Sequence, residues 1–346
     1  MEDIRRYSLP QLRVFFEQHG EKSFRAKQVY EWLWQKGARN FDEMTNLSKQ
    51  TRAMLAEHFF IHSLEVYTTQ KSSDGTMKFG FKLHDGFIVE GVMIPAPDRR
   101  TACISSQVGC NVGCSFCATG KLGFKRNLSA GEIFDQVVEI SRWAEKEGSR
   151  LTNIVMMGQG EPLLNVDNVL LAIDRITAAD GLAMSPRRLT LSTSGIVRNI
   201  KELADQQVRF NLAVSLHAAN DVKRSEIMRI NDTYPLAELG EALVYFHEKT
   251  GSRVTFEYLM LRGINDTLED AQELAQYCKQ LPVKINLIEY NSTDDLRFAK
   301  SYSKTSAAFL AYLESKNLIV NLRRSKGEDI DGACGQLANK LTMIKE

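Results

Sequence analysis

Residues 110–120 read CNVGCSFCATG and hold three of the chain's six cysteines, Cys110, Cys114 and Cys117, among glycines and small polar residues. Thiolate sites for zinc or iron–sulfur clusters usually close with four ligands, and this stretch supplies three. Three arrangements compete for it. A structural zinc ion needs a second close pair of Cys or His, yet no histidine lies between His84 and His217. Buried unliganded cysteines suit a core, but a segment rich in Gly, Asn and Ser does not. A 4Fe-4S cluster held by three thiolates leaves one iron open to a small molecule, much as catalytic zinc keeps an open position.

What surrounds the stretch sets its fold. Short apolar strands alternate with amphipathic helices from residue 101 onward: TACISS, TNIVMM, RLTLST, RFNLAVS, VTFEYLML and VKINLIEY. The first helix, SAGEIFDQVVEISRWAEK, opens with a capping box from Ser129 to Glu132. Such alternation predicts an α/β fold with a parallel sheet. Six units are too few for the usual eight-fold barrel, so an open or partial barrel is expected. Active sites of such folds collect at the C-terminal ends of the strands. CNVGCSFC, GQGEP, STSG, SLHA and EYN all stand at or just after a strand end. LIVNLRR is expected as a last strand, followed by the polar loop SKGEDIDGACGQL with Cys334.

Upstream, residues 1–60 are expected as short helices, one of them in SFRAKQVYEWLWQKG with a possible N-cap at Ser23 and a stop at Gly37. LEVYTTQ, TMKFGFKL and FIVEGVMI then alternate with period two and are separated by Asp74-Gly75 and Asp85-Gly86, which predicts a three-stranded meander. The expected organisation is a helical accessory domain at 1–62, a meander linker at 63–98 and the barrel at 99–346.

Composition bounds the rest. The chain has 346 residues, 43% hydrophobic and 25% charged, with formal net charge +1. No run of about eighteen apolar residues suggests a membrane span. No basic and apolar leader opens MEDIRRYSLPQL, so a cytoplasmic location with reduced thiols is expected. Local basic clusters occur at KLGFKR (121–126), PRR (186–188) and RRSK (323–326). They matter only if they border one site.

The spacing C-x3-C-x2-C after the first barrel strand resembles the radical SAM superfamily. There the open iron chelates S-adenosylmethionine (SAM), and one electron cleaves it to a deoxyadenosyl radical. Gly160 and Glu161 of GQGEP match the motif that contacts the methionine amino group. More closely, the chain resembles the radical SAM adenine-C2 methyltransferases that act on 23S ribosomal RNA and transfer RNA. The matching segments are FRAKQVYEW, SSDGT, ISSQVGCNVGCSFCATG, GFKRNL, NIVMMGQGEPLLN, RRLTLSTSG, SLHA, KINLIEYN and DIDGACGQLA.

That resemblance implies a partial (β/α)6 radical SAM barrel, one cluster on Cys110, Cys114 and Cys117, and two SAM molecules per turnover. Carbon 2 of adenine is electrophilic and cannot attack an ordinary methyl donor. In the family a thiol, matching Cys334, first takes a methyl group, which then loses hydrogen and adds to the base. A second thiol, matching Cys103, attacks the sulfur of Cys334 and releases the product, leaving a disulfide. The two sulfurs must therefore be able to meet. Glu90 matches the family's proposed proton acceptor, and Ser192, Ser215, Leu216, His217 and Asn291 match SAM-contacting positions. Cys278, at apolar helical spacing, is expected in the core.

The implied partners are 23S rRNA, tRNA and an electron donor such as flavodoxin or ferredoxin, with the chain a monomer and no membrane involved. Arg25, Lys27, Trp32 and Trp34 of the helical module and the KLGFKR loop are the expected RNA-gripping surface, although both tryptophans also suit a core. Two departures from the family pattern, Gly332-Ala333 before Cys334 and Gln159 in GQGEP, remove no reacting atom. The rivals are methylation at carbon 8 of the same adenine, which Pro162 disfavours, a glycyl-radical activating enzyme, and a non-catalytic Fe–S RNA-binding module.

Overall fold

The computed structural model describes residues 1–293 and 297–339. One ten-stranded sheet organises it: β1 (Glu65–Lys71), β2 (Met77–Lys82), β3 (Ile88–Ala96), β4 (Arg99–Cys103), β5 (Asn153–Met156), β6 (Leu189–Thr193), β7 (Asn211–Ser215), β8 (Val254–Met260), β9 (Val283–Glu289) and β10 (Ile319–Arg323). Spatial order follows chain order from one edge to the other. β1 to β4 pair antiparallel, and every pairing from β4 to β10 is parallel. LIVNLRR thus supplies a seventh parallel strand. The expected linker is no separate connector, because Val92 to Ala96 of β3 pair with Arg99 to Cys103 of β4. The boundary at residue 98 falls between two bonded strands.

Three helices precede the sheet, α1 (Leu9–Gln18), α2 (Phe24–Trp34) and α3 (Lys49–His58). Ser23 does not cap α2: it is itself helical and its side chain makes no cap bond. Each crossover in the parallel part carries a helix: α4 (Ala130–Lys146), α5 (Val166–Thr177), α6 (Val197–Asp205), α7 (Leu236–Thr250), α8 (Leu268–Tyr277) and α9 (Ser303–Ser315). In α4 the Ser129 hydroxyl accepts from Glu132 N while the Glu132 carboxylate accepts from Ser129 N, so the expected capping box forms. Ile133, Val137, Ile140 and Ala144 of α4 are buried, as the apolar period demands.

The helical module is locked onto α4. Trp34 is 1% exposed and packs edge-on against Phe134, with ring centroids 5.1 Å apart. Arg5 is buried and donates to Asp135 at 2.8 Å as well as pairing with Asp3. Trp34 is therefore a core residue and offers RNA nothing, whereas Trp32 stays half-buried under Lys36, 3.7 Å from its ring centre. Cys278 is also in the core, at 3% exposure. Among the described residues no helix is long and apolar enough to cross a membrane.

Candidate active site

The C-terminal ends of β4 to β10 deliver one polar cluster. β4 ends at Cys103 and feeds the cysteine loop, which is clasped at its base where Gln107–Val108 pairs antiparallel with Arg126–Asn127. Gly109 holds φ +74°, and a Cβ there would lie 1.7 Å from the Gly123 carbonyl oxygen, so only glycine allows the two sides of the loop to meet. Cys117 N donates to Cys114 O at 3.2 Å, closing a tight turn between the two cysteines.

Burial pushes the Cys110 thiol up to about 11 and the Cys114 thiol well above its ordinary value. In both, neighbouring loop cysteines and Glu161 add to the rise, so the three thiols and Glu161 share one neighbourhood. Among the described residues no three His, Cys, Asp or Glu side chains already gather on a single-ion site. A mononuclear ion demands ligands about 2.3 Å from one point. A four-iron cluster takes each thiolate on its own iron, and three neighbouring thiols can supply that set.

GQGEP sits against the loop. Gly160 lies at φ +100°, and a Cβ there would meet Gln107 Cβ at 2.6 Å. Glu161 is buried; its Oε1 accepts from Leu163 N at 3.0 Å and its Oε2 from Ser194 N at 2.7 Å. Burial raises its pKa, against the pull of those donors. Ser192 is buried at the end of β6. Ser215 closes β7 and Leu216 follows it, leading to His217, which takes a left-handed φ of 59°.

His217 Nδ1 accepts from Leu259 N at 3.0 Å, which leaves the ring proton on Nε2. Burial drives its pKa down to about 3, so the ring is neutral. Asn291 donates to the Cys334 carbonyl at 3.2 Å, while its buried Oδ1 has no partner. An unsatisfied buried acceptor at a strand-end cleft is what a polar ligand completes. The three-cysteine loop and this orphaned oxygen therefore fit a cluster and SAM.

The terminal loop closes over this mouth. Gly335 O accepts from Ala118 N at 2.8 Å, and Leu337 O accepts from Thr119 Oγ1 at 2.7 Å. Cys103 is buried in a small apolar cluster with Val92 and Leu337. Burial pushes its thiol up to about 12, and Cys334 is the next contributor. Cys334 itself is exposed, yet the groups crowded beneath its sulfur push its pKa up, desolvation first and the Glu257 carboxylate second. A thiol reachable from solvent on one side and desolvated on the other satisfies both observations. All six cysteines are free.

Glu90 is fixed from three sides. Lys78 Nζ lies 2.8 Å from Oε1, Asn339 N donates to Oε2 at 3.1 Å, and Gln159 Oε1 accepts from Glu90 N at 3.0 Å. Gln159, one of the two departures from the family pattern, thereby tethers both Glu90 and Asn339, the latter through its Nε2 at 3.0 Å.

Sequence reading missed several members of this site. Lys78 is 1% exposed and also donates to Asp331 O at 3.2 Å. Arg224 is fully buried and donates to Ser194 O at 2.7 Å and Leu216 O at 3.1 Å, joining STSG to SLHA. Glu257, Asn286 and Asn321 form a ladder across β8, β9 and β10, with bonds of 2.7 and 3.3 Å. A signal existed for the ladder, since these are polar residues inside otherwise apolar parallel strands. Of the basic clusters, RRSK and KLGFKR border the mouth, but Arg126 is bound to Asp85 and Glu132. PRR precedes β6 and so lies at the opposite end.

The comparisons agree with this geometry. A family model described as "Ribosomal RNA large subunit methyltransferase N-terminal domain" matches residues 3–61, and one described as "Radical SAM superfamily" matches 104–278. A crystal structure of a radical SAM methyltransferase from Sphaerobacter thermophilus superposes with a TM-score of 0.92 at 40% identity, covering 97% of this chain and 99% of that one. A probable dual-specificity RNA methyltransferase RlmN from Cytophaga hutchinsonii is 55% identical, over 97% of this chain and 93% of its own. The dual-specificity RNA methyltransferase RlmN of Anaeromyxobacter is 45% identical, over 97% and 90%. The chain belongs to the RlmN family of radical SAM methyltransferases.

Proposed function

We propose that this enzyme methylates carbon 2 of an adenine in 23S rRNA and of an adenine next to the anticodon in tRNA, with Cys334 and Cys103 as its working thiols. The observation that carries the reading is the placement of the DIDGACGQL loop: it spans the strand-end cleft from Asp331 to Leu337, anchored on Lys78, Ala118, Thr119 and Asn291. Nothing in a glycyl-radical activating enzyme or a passive Fe–S binding module calls for such a thiol over the mouth.

Cys110, Cys114 and Cys117 hold the 4Fe-4S cluster, and Gly160, Glu161, Ser192, Ser215, Leu216, His217 and Asn291 line the SAM site. Bound there, cluster and SAM supply both the methyl group and the one-electron chemistry. The protein's part is positional. Glu161, braced by Leu163 N and Ser194 N, presents its remaining lone pairs to an ammonium group. Neutral His217 contributes an Nε2–H donor. Cys334 would take up the methyl group, and that carbon, once bonded to the adenine, would still be tied to the Cys334 sulfur. Cys103 would then attack the Cys334 sulfur: the S–S bond forms as the S–C bond breaks, the freed carbon takes a proton to become the methyl group, and the disulfide is left for the electron donor to reduce. Glu90 takes the proton lost from the adenine carbon, next to a lysine that balances its charge.

A cavity of about 390 Å³ reaches Cys114 between Gly113, Lys121, Arg229 and Arg297, and suits an acidic electron donor such as flavodoxin or ferredoxin. Phe24, half-exposed under Arg25, and Trp32 under Lys36 offer stacking faces for RNA on the helical module. The test is to incubate the reconstituted enzyme with methyl-labelled SAM and 23S RNA and map the label. Label at carbon 2, lost in Cys334→Ala, is expected; label at carbon 8, or a Cys334→Ala enzyme that still methylates, overturns the reading.

A further inference from the structure

His19 and His58 occupy the C-terminal ends of two neighbouring helices in the N-terminal module: His19 caps α1 and His58 ends α3. Their Nε2 atoms face each other at 3.2 Å, outside anything the methylation chemistry uses. The other ring nitrogen of each is already committed. His19 Nδ1 is 2.7 Å from Phe15 O, and His58 Nδ1 is 2.9 Å from Met54 O. A backbone carbonyl can only accept, so both Nδ1 atoms carry hydrogen. In the neutral rings that leaves a lone pair on each Nε2, and the two rings meet edge-on at an angle, with centroids 4.6 Å apart and planes at 76°.

A positive centre shared by both nitrogens removes the repulsion between two acceptors this close. We infer that His19 and His58 form a two-histidine site for a borderline divalent cation such as Zn²⁺. Two nitrogens each about 2.0–2.1 Å from a tetrahedral zinc ion stand about 3.3 Å apart, close to the separation found. The Nδ1–H···O=C bonds are the outer-sphere contacts that fix tautomer and ring orientation in metal-binding histidines. Both rings also sit against Phe15, with centroids 4.1 and 5.3 Å away. The two helix C-termini direct partial negative charge toward the same point, which favours a cation.

Among the described residues no third His, Cys, Asp or Glu completes a three-ligand group with this pair. The remaining coordination positions therefore belong to water or to an exogenous ligand. Imidazole nitrogen selects Zn²⁺, Ni²⁺ or Cu²⁺ over Mg²⁺. A bound ion would join the ends of α1 and α3, on the module matched to the ribosomal RNA methyltransferase N-terminal domain, independently of the reaction at the barrel mouth.

The test is calorimetric titration of the cluster-loaded full chain with Zn²⁺, in a Cys103→Ser, Cys334→Ser background so that no working thiol competes. One ion per chain should bind, with Mg²⁺ giving no heat. His19→Gln and His58→Gln should each weaken Zn²⁺ binding by about tenfold or more, in the range typical of disturbed metal sites, while His247→Gln should not change it. His19 is exposed, so its variant should fold, and matching melting curves without metal check this. Zn²⁺ should raise the melting temperature of the parent only. Equal binding in parent and both variants, no saturable binding, or loss confined to His62→Gln would each overturn the assignment.

Discussion

Lys78 Nζ stands 2.8 Å from Glu90 Oε1, and each side chain is only 1% exposed. Removing one partner of a buried pair leaves an uncompensated charge, at a cost of about 3–5 kcal/mol. Lys78→Met should destabilise the enzyme by that amount in urea unfolding. The double variant Lys78→Met, Glu90→Gln should recover part of the loss, because neither charge is then stranded. Lys78 also holds Asp331 O, so Cys334 in the single variant should be alkylated faster than in the parent.

Gly109→Ala tests the cysteine loop. The added Cβ would sit 1.7 Å from the Gly123 carbonyl oxygen at a left-handed φ, so the loop has to open. The variant should fold, by far-UV circular dichroism, yet fail to take up a cluster on reconstitution, seen as lost visible absorption. Gly113→Ala, also at positive φ but with no atom within 4 Å of the new Cβ, should load far better.

Cys278 gives a pH-dependent stability term of known sign. Burial pushes its pKa up to about 12, against about 8.5 in an unfolded chain. The folded thiol keeps its proton where the unfolded one has lost it. This contribution is full below the unfolded value and disappears as pH climbs toward 12. Urea unfolding of parent and Cys278→Ala across that window should show the parent's advantage shrinking as pH rises. An advantage that grows with pH would refute the burial argument.

The two tryptophans of α2 should separate stability from RNA binding. Trp34→Ala empties the junction with Phe134 and should cost about 3–5 kcal/mol. Trp32 is half-buried and bonded through its indole N–H to Asn46, so Trp32→Ala should cost less than Trp34→Ala and weaken RNA binding, measured by filter retention.

Strands and crossover helices were legible because hydrophobic period survives in a single sequence: β1 to β10 and the Ser129 capping box fall where the pattern puts them. Cys110, Cys114 and Cys117 were legible because their spacing is local. Long-range pairings were not. Nothing near Lys78 in the sequence announces Glu90 as its partner, and nothing in DIDG points to Ser72. Trp34 and Trp32 are two residues apart in one helix and looked equivalent; only the position of α4 sends one into the core. Arg126 belongs to the KLGFKR loop expected to grip RNA, yet the carboxylates of Asp85 and Glu132, which come from other elements, already hold it.

Neighbouring strands in this sheet are also neighbours in the chain, so the sheet can grow along one edge as synthesis proceeds. One segment breaks that order. The Asp329 carboxylate takes a hydrogen bond from Ser72 Oγ, 257 residues earlier, and Gly327 N donates to Asp74, 253 residues earlier. A ribosome must therefore add the 253 to 257 residues that separate these partners before the loop can return to the earlier hairpin. Until then a nascent chain holds the loop of Cys110, Cys114 and Cys117 without Cys334. Under the proposed chemistry the radical-forming half of the site is made first and its thiol more than two hundred residues later.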